Sequence, residues 1–363
     1  MNAAEQSRVE KAIAAFARGE IVVVTDDYDR ENEGDLFVAA SLCTPEKMAF
    51  IVRHTSGIVC APLTQTEASR LNLNPMVAHN DAPHTTAFTV SVDAKHGTTT
   101  GISAEERTTT VRALANGNMG AADFVRPGHI FPLVAREGGV LMRTGHTEAC
   151  VDLCRLAKLP PVGVISELVN DDGTVMRGAQ VITFAEKHKL TQLSVADLIA
   201  YRQTREKLVT RVSEFPVQSE IGPLNGYAFT TPFDETHHIA FVYGKIGDGK
   251  SIVARLHRAD VIGDVIGGGA VIHKALARFK SEGRGVLIYL RDGTAGVPVV
   301  KPGTQSDSTE AQRAEQWREI GVGAQILRDL GISSIRLLAS RTRTYVGLAG
   351  FGIEIVSTES LDA

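Results

Sequence analysis

Residues 21–40 read IVVVTDDYDRENEGDLFVAA, two apolar runs separated by a segment crowded with carboxylates. The runs at 21–24 and 36–40 each predict a strand, because short runs of β-branched and apolar residues are typical of strands. Helical patterns alternate with further strand-like runs along the rest of the chain. The sequence therefore predicts an α/β fold of α+β layers, in which each of two domains is a mixed sheet covered by helices.

Cap signals predict where several helices begin. Thr44, followed by a proline, predicts a helix over 45–54. The residues SAEE at 103–106 form a capping-box pattern that opens another helix. Thr147 is expected to cap a helix over 148–159. The other predicted elements are helices over 6–18, 183–189 and 195–207, and strands over 87–93, 129–135 and 162–169.

Length and a change of pattern predict the domain boundaries. The chain has 363 residues, which is enough for two domains of ordinary size. A polar stretch at 207–220 separates two regions that each mix strand and helix patterns. We therefore predict a first domain over 1–206, a linker over 207–220 and a second domain over 221–363.

Composition limits the class of protein. Hydrophobic residues make up 43% of the chain and charged residues 22%, which is typical of soluble globular proteins. The net charge of −4 argues against a nucleic-acid partner. No apolar run approaches the ~18–20 residues of a membrane helix, so no membrane partner is expected. The first residues lack a secretory apolar core, and the expected location is the cytoplasm.

The cysteines exclude two kinds of site. Cys43, Cys60, Cys150 and Cys154 are the four cysteines, and no two of them form a CxxC pair. A disulfide scaffold is therefore not expected in a chain of this size. Because no thiol follows Cys154, a cysteine-ligated zinc site confined to the second half is excluded.

The acidic segment is a candidate metal site. Six carboxylates lie within residues 26–35, with Arg30 as the one cation. If the segment is extended, Glu31, Glu33 and Asp35 point to one face, because side chains alternate along a strand. Such carboxylates repel one another unless a cation screens them, and Mg²⁺ prefers oxygen ligands. The alternative is an ordinary solvated acidic loop.

The segment RTGHTE at 143–148 is a candidate phosphate site. It lies at a predicted helix start, where free backbone N–H groups favour an anion, and Arg143 adds a guanidinium. His146 supplies a ring nitrogen for a metal or for proton transfer. The alternative is that Thr147 is an ordinary cap and His146 an ordinary loop residue.

Three further residues have a functional and a structural interpretation. Glu167 ends a very apolar run, so its carboxylate is either desolvated and suited to proton transfer or exposed at the strand tip. His129 lies at a predicted strand start, where a lone histidine is more often structural. Cys60 has the pattern of a small buried apolar residue.

Several blocks together resemble one family. They are DDYDRENEGD at 26–35, HTSGIVCAPL at 54–63, TTGISAEERTTTVRALA at 99–115, RPGHIFPL at 126–133, RTGHTEACVDL at 143–153 and SELVNDDGTVMR at 166–177. In this order they resemble the signature blocks of 3,4-dihydroxy-2-butanone 4-phosphate synthase, over roughly residues 5–206. The resemblance implies a homodimeric enzyme that converts ribulose 5-phosphate, a sugar phosphate, to 3,4-dihydroxy-2-butanone 4-phosphate and formate in riboflavin synthesis.

The resemblance also implies roles for individual residues. Glu31 and His146 would bind Mg²⁺ or Mn²⁺. The residues implied to hold the substrate are Arg30, Glu31, Asp35, Arg143, Thr144, Gly145, His146, Thr147 and Glu167. The residues implied at catalytic positions are His129, Glu167, Asp26, Glu33 and Asp35. The chemistry agrees, because enolisation next to a carbonyl needs a base and a charge-stabilising metal.

The second half is similar to GTP cyclohydrolase II in layout. The similar blocks are ARLH at 254–257, GRGVLIYLR at 283–291, IGVGAQILRDLGISSIRLL at 320–338 and GFGIEIV at 350–356. The family's three zinc cysteines are missing, because the corresponding region reads RADVIGDVIGGG. Two other motifs are replaced by residues 292–296 and 339–341. We therefore expect no zinc and no opening of GTP.

Two alternatives stay open at this point. One is a bifunctional enzyme with an unorthodox metal site built from His237, His238 or His257. The other is a non-catalytic scaffold, against which the intact acidic segment and the RTGHTE segment argue.

Overall fold

The computed structural model describes residues 3–26, 31–82, 86–207, 209–232, 234–291, 321–339 and 353–361. The chain divides into two compact units, Asn2–Tyr201 and Arg202–Ala363. Each unit contains a seven-stranded sheet with parallel and antiparallel pairs. The predicted fold of two mixed sheets with helices is confirmed. Among the described residues, no helix is long and apolar enough to span a membrane.

The first sheet has the strand order β4-β5-β3-β6-β2-β1-β7. Its strands are β1 (Val22–Thr25), β2 (Gly34–Ala39), β3 (Cys60–Leu63), β4 (Val92–Ala94), β5 (Phe124–Val134), β6 (Gly163–Glu167) and β7 (Thr191–Ser194). The helices in this part of the chain are α1 (Ala3–Ala17), α2 (Pro45–His54), α3 (Gln65–Arg70), α4 (Ala104–Leu114), α5 (His146–Leu156), α6 (Ala179–His188) and α7 (Val195–Arg205).

Every residue of β2 is buried, which indicates that both faces of the first sheet are covered by helices. Leu36 and Val38 pack in one core cluster with Met48 of α2. Phe37 points to the opposite face, since side chains alternate along a strand. Its ring packs edge-on against the His146 ring of α5, with 5.9 Å between the ring centroids. Asp35 shares the face of Phe37, so the sheet directs this carboxylate toward the start of α5.

Strand register brings the two ends of the candidate site together. In the antiparallel pair of β2 and β6, Asp35 lies directly opposite Glu167. Residues opposite each other in such a pair project from the same face of the sheet. The acidic segment after β1 and the end of β6 therefore meet at one edge of the sheet.

Local signals explain most helix starts, with one exception. Thr44 accepts a hydrogen bond from the Lys47 N–H, and Ser103 forms the expected capping box, so both predictions are confirmed. The prediction that Thr147 caps a helix is wrong. The helix α5 begins at His146 after Gly145, which makes no side-chain cap. A Cβ atom at Gly145 would collide with the Arg143 guanidinium, so the packed side chain of Arg143 requires glycine there.

The second sheet has the order β14-β13-β11-β12-β10-β9-β8. Its strands are β8 (Thr210–Ser219), β9 (Gly222–Thr231), β10 (Asp234–Tyr243), β11 (Ile252–Arg258), β12 (Gly285–Leu290), β13 (Ser334–Ala339) and β14 (Glu354–Ser360). Helix α8 (Ala270–Glu282) and a helix within residues 321–330 accompany this sheet. Side chains of β10, β11, β12 and β13 form its core with apolar residues of the second helix.

Several predicted element boundaries need correction, among them the helix predicted over 183–189, which begins at Ala179. The linker prediction is wrong for most of 207–220, because residues 210–219 form β8 and pair antiparallel with β9. This strand is largely exposed, which explains why its sequence is polar. The strand predicted over 87–93 is regular only in β4, and the strand predicted over 129–135 begins earlier, at Phe124.

Candidate active site

A cavity of about 100 Å³ lies in the first unit, between the end of β6 and the start of α5. The predicted site residues in its lining are Glu31, Asp35, Arg143, His146, Thr147 and Glu167. The lining residues that were not predicted are Thr86, Phe88, Leu133, Ile165 and Ser166, together with Cys60. The structure therefore brings together the acidic segment, the RTGHTE segment and Glu167.

Two carboxylates and an imidazole converge in this cavity. His146 Nδ1 lies 3.6 Å from Asp35 Oδ1 and 4.0 Å from Glu31 Oε2. Burial raises the pKa of Asp35 well above its ordinary value, and the nearby charges of Glu167 and Glu31 raise it further. Asp35 Oδ1 is buried and has no hydrogen-bond partner among the described residues. Oxygen and nitrogen donors in this arrangement suit a divalent cation.

The acidic segment does not form the expected row of three. Asn32 has a left-handed backbone with φ of 54°, and β2 begins only at Gly34, so the alternation of an extended chain is broken. Glu31 and Asp35 line the cavity, whereas Glu33 pairs with Arg177 at 2.8 Å. The predicted common face is therefore wrong for Glu33.

Asp26 organises the turn that presents Glu31. Its carboxylate accepts hydrogen bonds from the backbone N–H of Glu31 at 3.1 Å and from that of Glu33 at 2.9 Å. These two hydrogen bonds hold the backbone of Glu31 and Glu33 close to the end of β1. Arg30 lies outside the described residues.

The start of α5 forms the other wall of the cavity. Arg143 Nη1 donates to Glu148 Oε2 at 2.7 Å, and Arg143 Nη2 donates to Thr86 Oγ1 at 3.1 Å. Glu148 is almost fully buried and also accepts the Arg136 N–H at 2.9 Å. The guanidinium is thus fixed beside the helix start, where N–H groups and Thr147 complete a surface suited to an anion. Thr144 and Gly145 form the entry to this helix.

Glu167 is exposed at the strand tip, which is the second of its two sequence interpretations. Its Oε2 accepts a hydrogen bond from Ser56 Oγ at 2.9 Å. Cys60 is buried as predicted, and burial with the nearby Glu167 and Asp35 charges raises the pKa of its thiol. The thiol also lines the cavity, which its apolar sequence pattern did not indicate.

His129 is a predicted catalytic residue that does not line this cavity, and the predicted residues Asp26, Glu33, Thr144 and Gly145 are not in its lining either. His129 lies on β5, where its Nδ1 is 2.7 Å from Asp93 Oδ2 and its backbone N–H donates to Asp93 Oδ1 at 2.9 Å. Asp93 is buried, while the His129 side chain is 40% exposed. Sequence reasoning missed Asp93, although an acid within the alternating run AFTVSVD was the available signal.

The second unit carries a hydrogen-bonded network after β11. His257 Nε2 lies 2.8 Å from Asp264 Oδ1, and the Tyr289 hydroxyl donates to Asp264 Oδ2 at 2.7 Å. His257 and Tyr289 are neighbours in the parallel pair of β11 and β12, and their rings stack at 5.4 Å. Burial and Asp264 raise the pKa of Tyr289 to about 12. Of these three residues, Asp264 belongs to the segment 258–269 that reads RADVIGDVIGGG.

The three histidines proposed for an unorthodox metal site have different surroundings. His257 contacts Asp264, His238 accepts the Arg291 N–H at 3.1 Å, and His237 is exposed. Over the described ranges of both units, no three His, Cys, Asp or Glu side chains form a ready metal cage.

Replacing Asp264 by Ala is expected to destabilise the second unit by about 2–4 kcal/mol, because it leaves the buried His257 and the partly buried Tyr289 without their shared acceptor. Denaturant unfolding measures the change. Asp248→Ala is the matched control, since Asp248 is 64% exposed, and it should change stability little. Equal stability of the two variants would contradict the role of the network.

Comparisons with known proteins identify the family of each domain. The family model for 3,4-dihydroxy-2-butanone 4-phosphate synthase matches residues 10–201, and that for GTP cyclohydrolase II matches residues 210–360. The chain is 43% identical to the riboflavin biosynthesis protein RibBA of Bacillus cereus, covering 96% of this chain and 92% of that protein. It is 46% identical to the bifunctional riboflavin biosynthesis protein RIBA 1 of Arabidopsis thaliana, covering 96% and 68%.

Two solved structures are similar as well. RibBX of A. baumannii, described as a two-domain 3,4-dihydroxy-2-butanone 4-phosphate synthase, has a TM-score of 0.80 and 38% identity, with 97% of this chain and 100% of that chain covered. A 3,4-dihydroxy-2-butanone 4-phosphate synthase in complex with two magnesium ions has a TM-score of 0.53 and 47% identity, with 54% and 97% covered. The chain therefore belongs to the 3,4-dihydroxy-2-butanone 4-phosphate synthase family and carries a second domain of the GTP cyclohydrolase II family.

Proposed function

We propose that the chain is a lyase that converts D-ribulose 5-phosphate to 3,4-dihydroxy-2-butanone 4-phosphate and formate, and that its second domain does not hydrolyse GTP. The observation that carries the proposal is the cavity that joins Glu31, Asp35, His146 and Glu167 to the start of α5. It offers metal donors, proton carriers and an anion site within one small volume.

The phosphate of the substrate would bind at the start of α5. Backbone N–H groups there, Thr147 and the fixed guanidinium of Arg143 supply donors for a dianion. Arg30, Thr144 and Gly145 complete the proposed phosphate contacts. In this orientation the sugar carbons would extend toward the acidic wall formed by Glu31 and Asp35.

Glu31 and His146 would hold Mg²⁺ or Mn²⁺. Their donor atoms converge beside Asp35, whose buried Oδ1 has no hydrogen-bond partner in the part of the chain that the structure describes, so the residues present fit a hard divalent ion. Mg²⁺ commonly takes one or two protein ligands and keeps several waters, which agrees with this small ligand set. When bound, the ion supplies charge stabilisation for the enediolate of the substrate.

Proton transfers are assigned to the carboxylates that face the cavity. Asp35 and Glu167 lie opposite each other in the register of β2 and β6, so both can reach one bound molecule. Asp26 and Glu33 are the other acids proposed at catalytic positions. The Asp26 carboxylate accepts the N–H groups of Glu31 and Glu33 and so holds the turn around Glu31, whereas the Glu33 carboxylate pairs with Arg177. Burial of the cavity walls would keep water from the reactive enediolate.

In this proposal, His129 acts in the active site of a second copy of the chain. It is implied at a catalytic position, and it does not line the cavity with the other site residues. Its side chain is 40% exposed and held by a buried Asp93, which is a suitable state for a group that enters a neighbouring site. We therefore propose a homodimer in which each copy gives His129 to the other, and the cytoplasm as its location, where the four free cysteines stay reduced.

Absence of GTP hydrolysis is supported by the missing zinc cysteines and by the network that His257, Asp264 and Tyr289 form in that region. The bifunctional alternative is favoured by one observation, which is that RIBA 1 of Arabidopsis thaliana is described as bifunctional. The proposal and the bifunctional alternative both predict the lyase activity. They differ only in whether the second domain hydrolyses GTP.

Formate release tests the proposal. We expect formate from ribulose 5-phosphate with Mg²⁺, a loss of this activity with EDTA, and no formate from GTP with or without added Zn²⁺. A GTP cyclohydrolase II of established activity is the positive control for the GTP assay. Formate from GTP at a comparable rate would establish the bifunctional alternative, and no formate from either substrate would overturn the lyase assignment.

A further inference from the structure

We propose that Ser56 is a positioning residue for the lyase reaction, because its hydroxyl fixes the Glu167 carboxylate at the mouth of the cavity. The inference rests on the proposed function, since it assigns Ser56 a task in that same reaction. Ser56 itself does not line the cavity, so it acts through Glu167 and not on the substrate.

Ser56 donates two hydrogen bonds to Glu167. Its backbone N–H donates to the Glu167 carbonyl at 2.9 Å, and its Oγ donates to Glu167 Oε2 at 2.9 Å. The other carboxylate oxygen, Oε1, receives no hydrogen bond from the described residues. One oxygen is thus held by the protein, and the other is left for the substrate.

The turn formed by residues 55–58 is itself firmly anchored. Ser166 Oγ lies 2.7 Å from Thr55 Oγ1 and 2.9 Å from the carbonyl oxygen of Ile58, within hydrogen-bond distance of both. The buried Arg107 donates to the Gly57 carbonyl at 3.1 Å. Gly57 has φ of 76°, a conformation that glycine adopts without strain, and it lets the turn reach over the end of β6. The Ser56 hydroxyl therefore has a fixed place from which to orient Glu167.

Fixing this carboxylate matters because Glu167 is exposed at a strand tip. An exposed glutamate samples several rotamers, and only some of them point at a bound molecule. A proton carrier must lie within hydrogen-bond reach of the proton that it moves. Holding Oε2 selects one orientation before the substrate arrives, which lowers the barrier without adding a substrate contact.

Steady-state kinetics of the full chain with Mg²⁺ and ribulose 5-phosphate test the inference. Ser56→Ala is expected to lower kcat about ten-fold and to leave KM nearly unchanged, because substrate contacts are intact. Ser56→Thr keeps the hydroxyl and should recover most of the rate. Ser69→Ala, at an exposed serine of α3, is the matched control and should leave both constants unchanged.

A double-variant cycle separates positioning from a general structural effect. Glu167→Asp keeps a carboxylate but draws it one methylene away from Ser56, so adding Ser56→Ala should cause no further loss of kcat. A further ten-fold loss in this background would overturn the inference. An unchanged kcat in Ser56→Ala, or a change in KM alone, would overturn it too. An inactive wild type would instead overturn the proposed function.

Discussion

Glu31→Gln is expected to reduce Mg²⁺-dependent formate release from ribulose 5-phosphate by about a thousand-fold. Glu31 Oε2 lies 4.0 Å from His146 Nδ1, and these two residues are the proposed metal ligands. Glutamine has the same shape but no charge, so the ion would lose its anionic protein ligand. Several kcal/mol of charge stabilisation in the transition state depend on the ion, which corresponds to this loss of rate.

A series of Mg²⁺ concentrations separates weaker metal binding from other effects of the Glu31→Gln substitution. Formate is measured over a series of Mg²⁺ concentrations, and the variant should need far more Mg²⁺ for its residual rate. Glu105→Gln is the matched control, because Glu105 is an exposed glutamate on α4, and it should behave as the wild type. Retained activity of Glu31→Gln at the wild-type Mg²⁺ requirement would overturn the site assignment.

The second large effect is expected at His129. His129→Ala should lower kcat by about 10²–10⁴-fold, the range that a positioned acid or base contributes. Asp93 holds the Nδ1 side of this ring, and the side chain is 40% exposed, so its Nε2 is suited to meet a substrate. Asp93→Asn should reproduce part of the loss, because the ring would lose its orienting carboxylate.

Mixing inactive variants tests whether His129 serves the partner's site. His129→Ala and Glu167→Gln, each inactive alone, should together recover about a quarter of the wild-type rate, since hybrid dimers contain one intact site of two. Asp93→Asn should complement Glu167→Gln in the same way but should not complement His129→Ala. Absence of recovery, in a mixture shown by mass spectrometry to contain hybrids, would place His129 in the site of its own chain.

Sequence signals predicted helix starts correctly where the stabilising interactions lie within a few residues of one another. The cap at Thr44 and the capping box at Ser103 formed as predicted, because each depends on atoms within one helical turn. Thr147 failed as a cap because the helix already begins at His146, which places Thr147 inside its first turn. The polar stretch at 210–219 resembled a linker because an exposed strand needs few apolar side chains.

The sequence by itself determined the family, the mixed sheets and the residue types of the site, since these follow from quoted blocks and from the alternation of apolar runs. Only the tertiary structure decided which acids share the cavity. Glu33 turns to Arg177, and Ser56 reaches Glu167 from 111 positions away. The physical reason is that strand register and long-range packing fix these contacts, and neither is encoded by the spacing of residues along one segment.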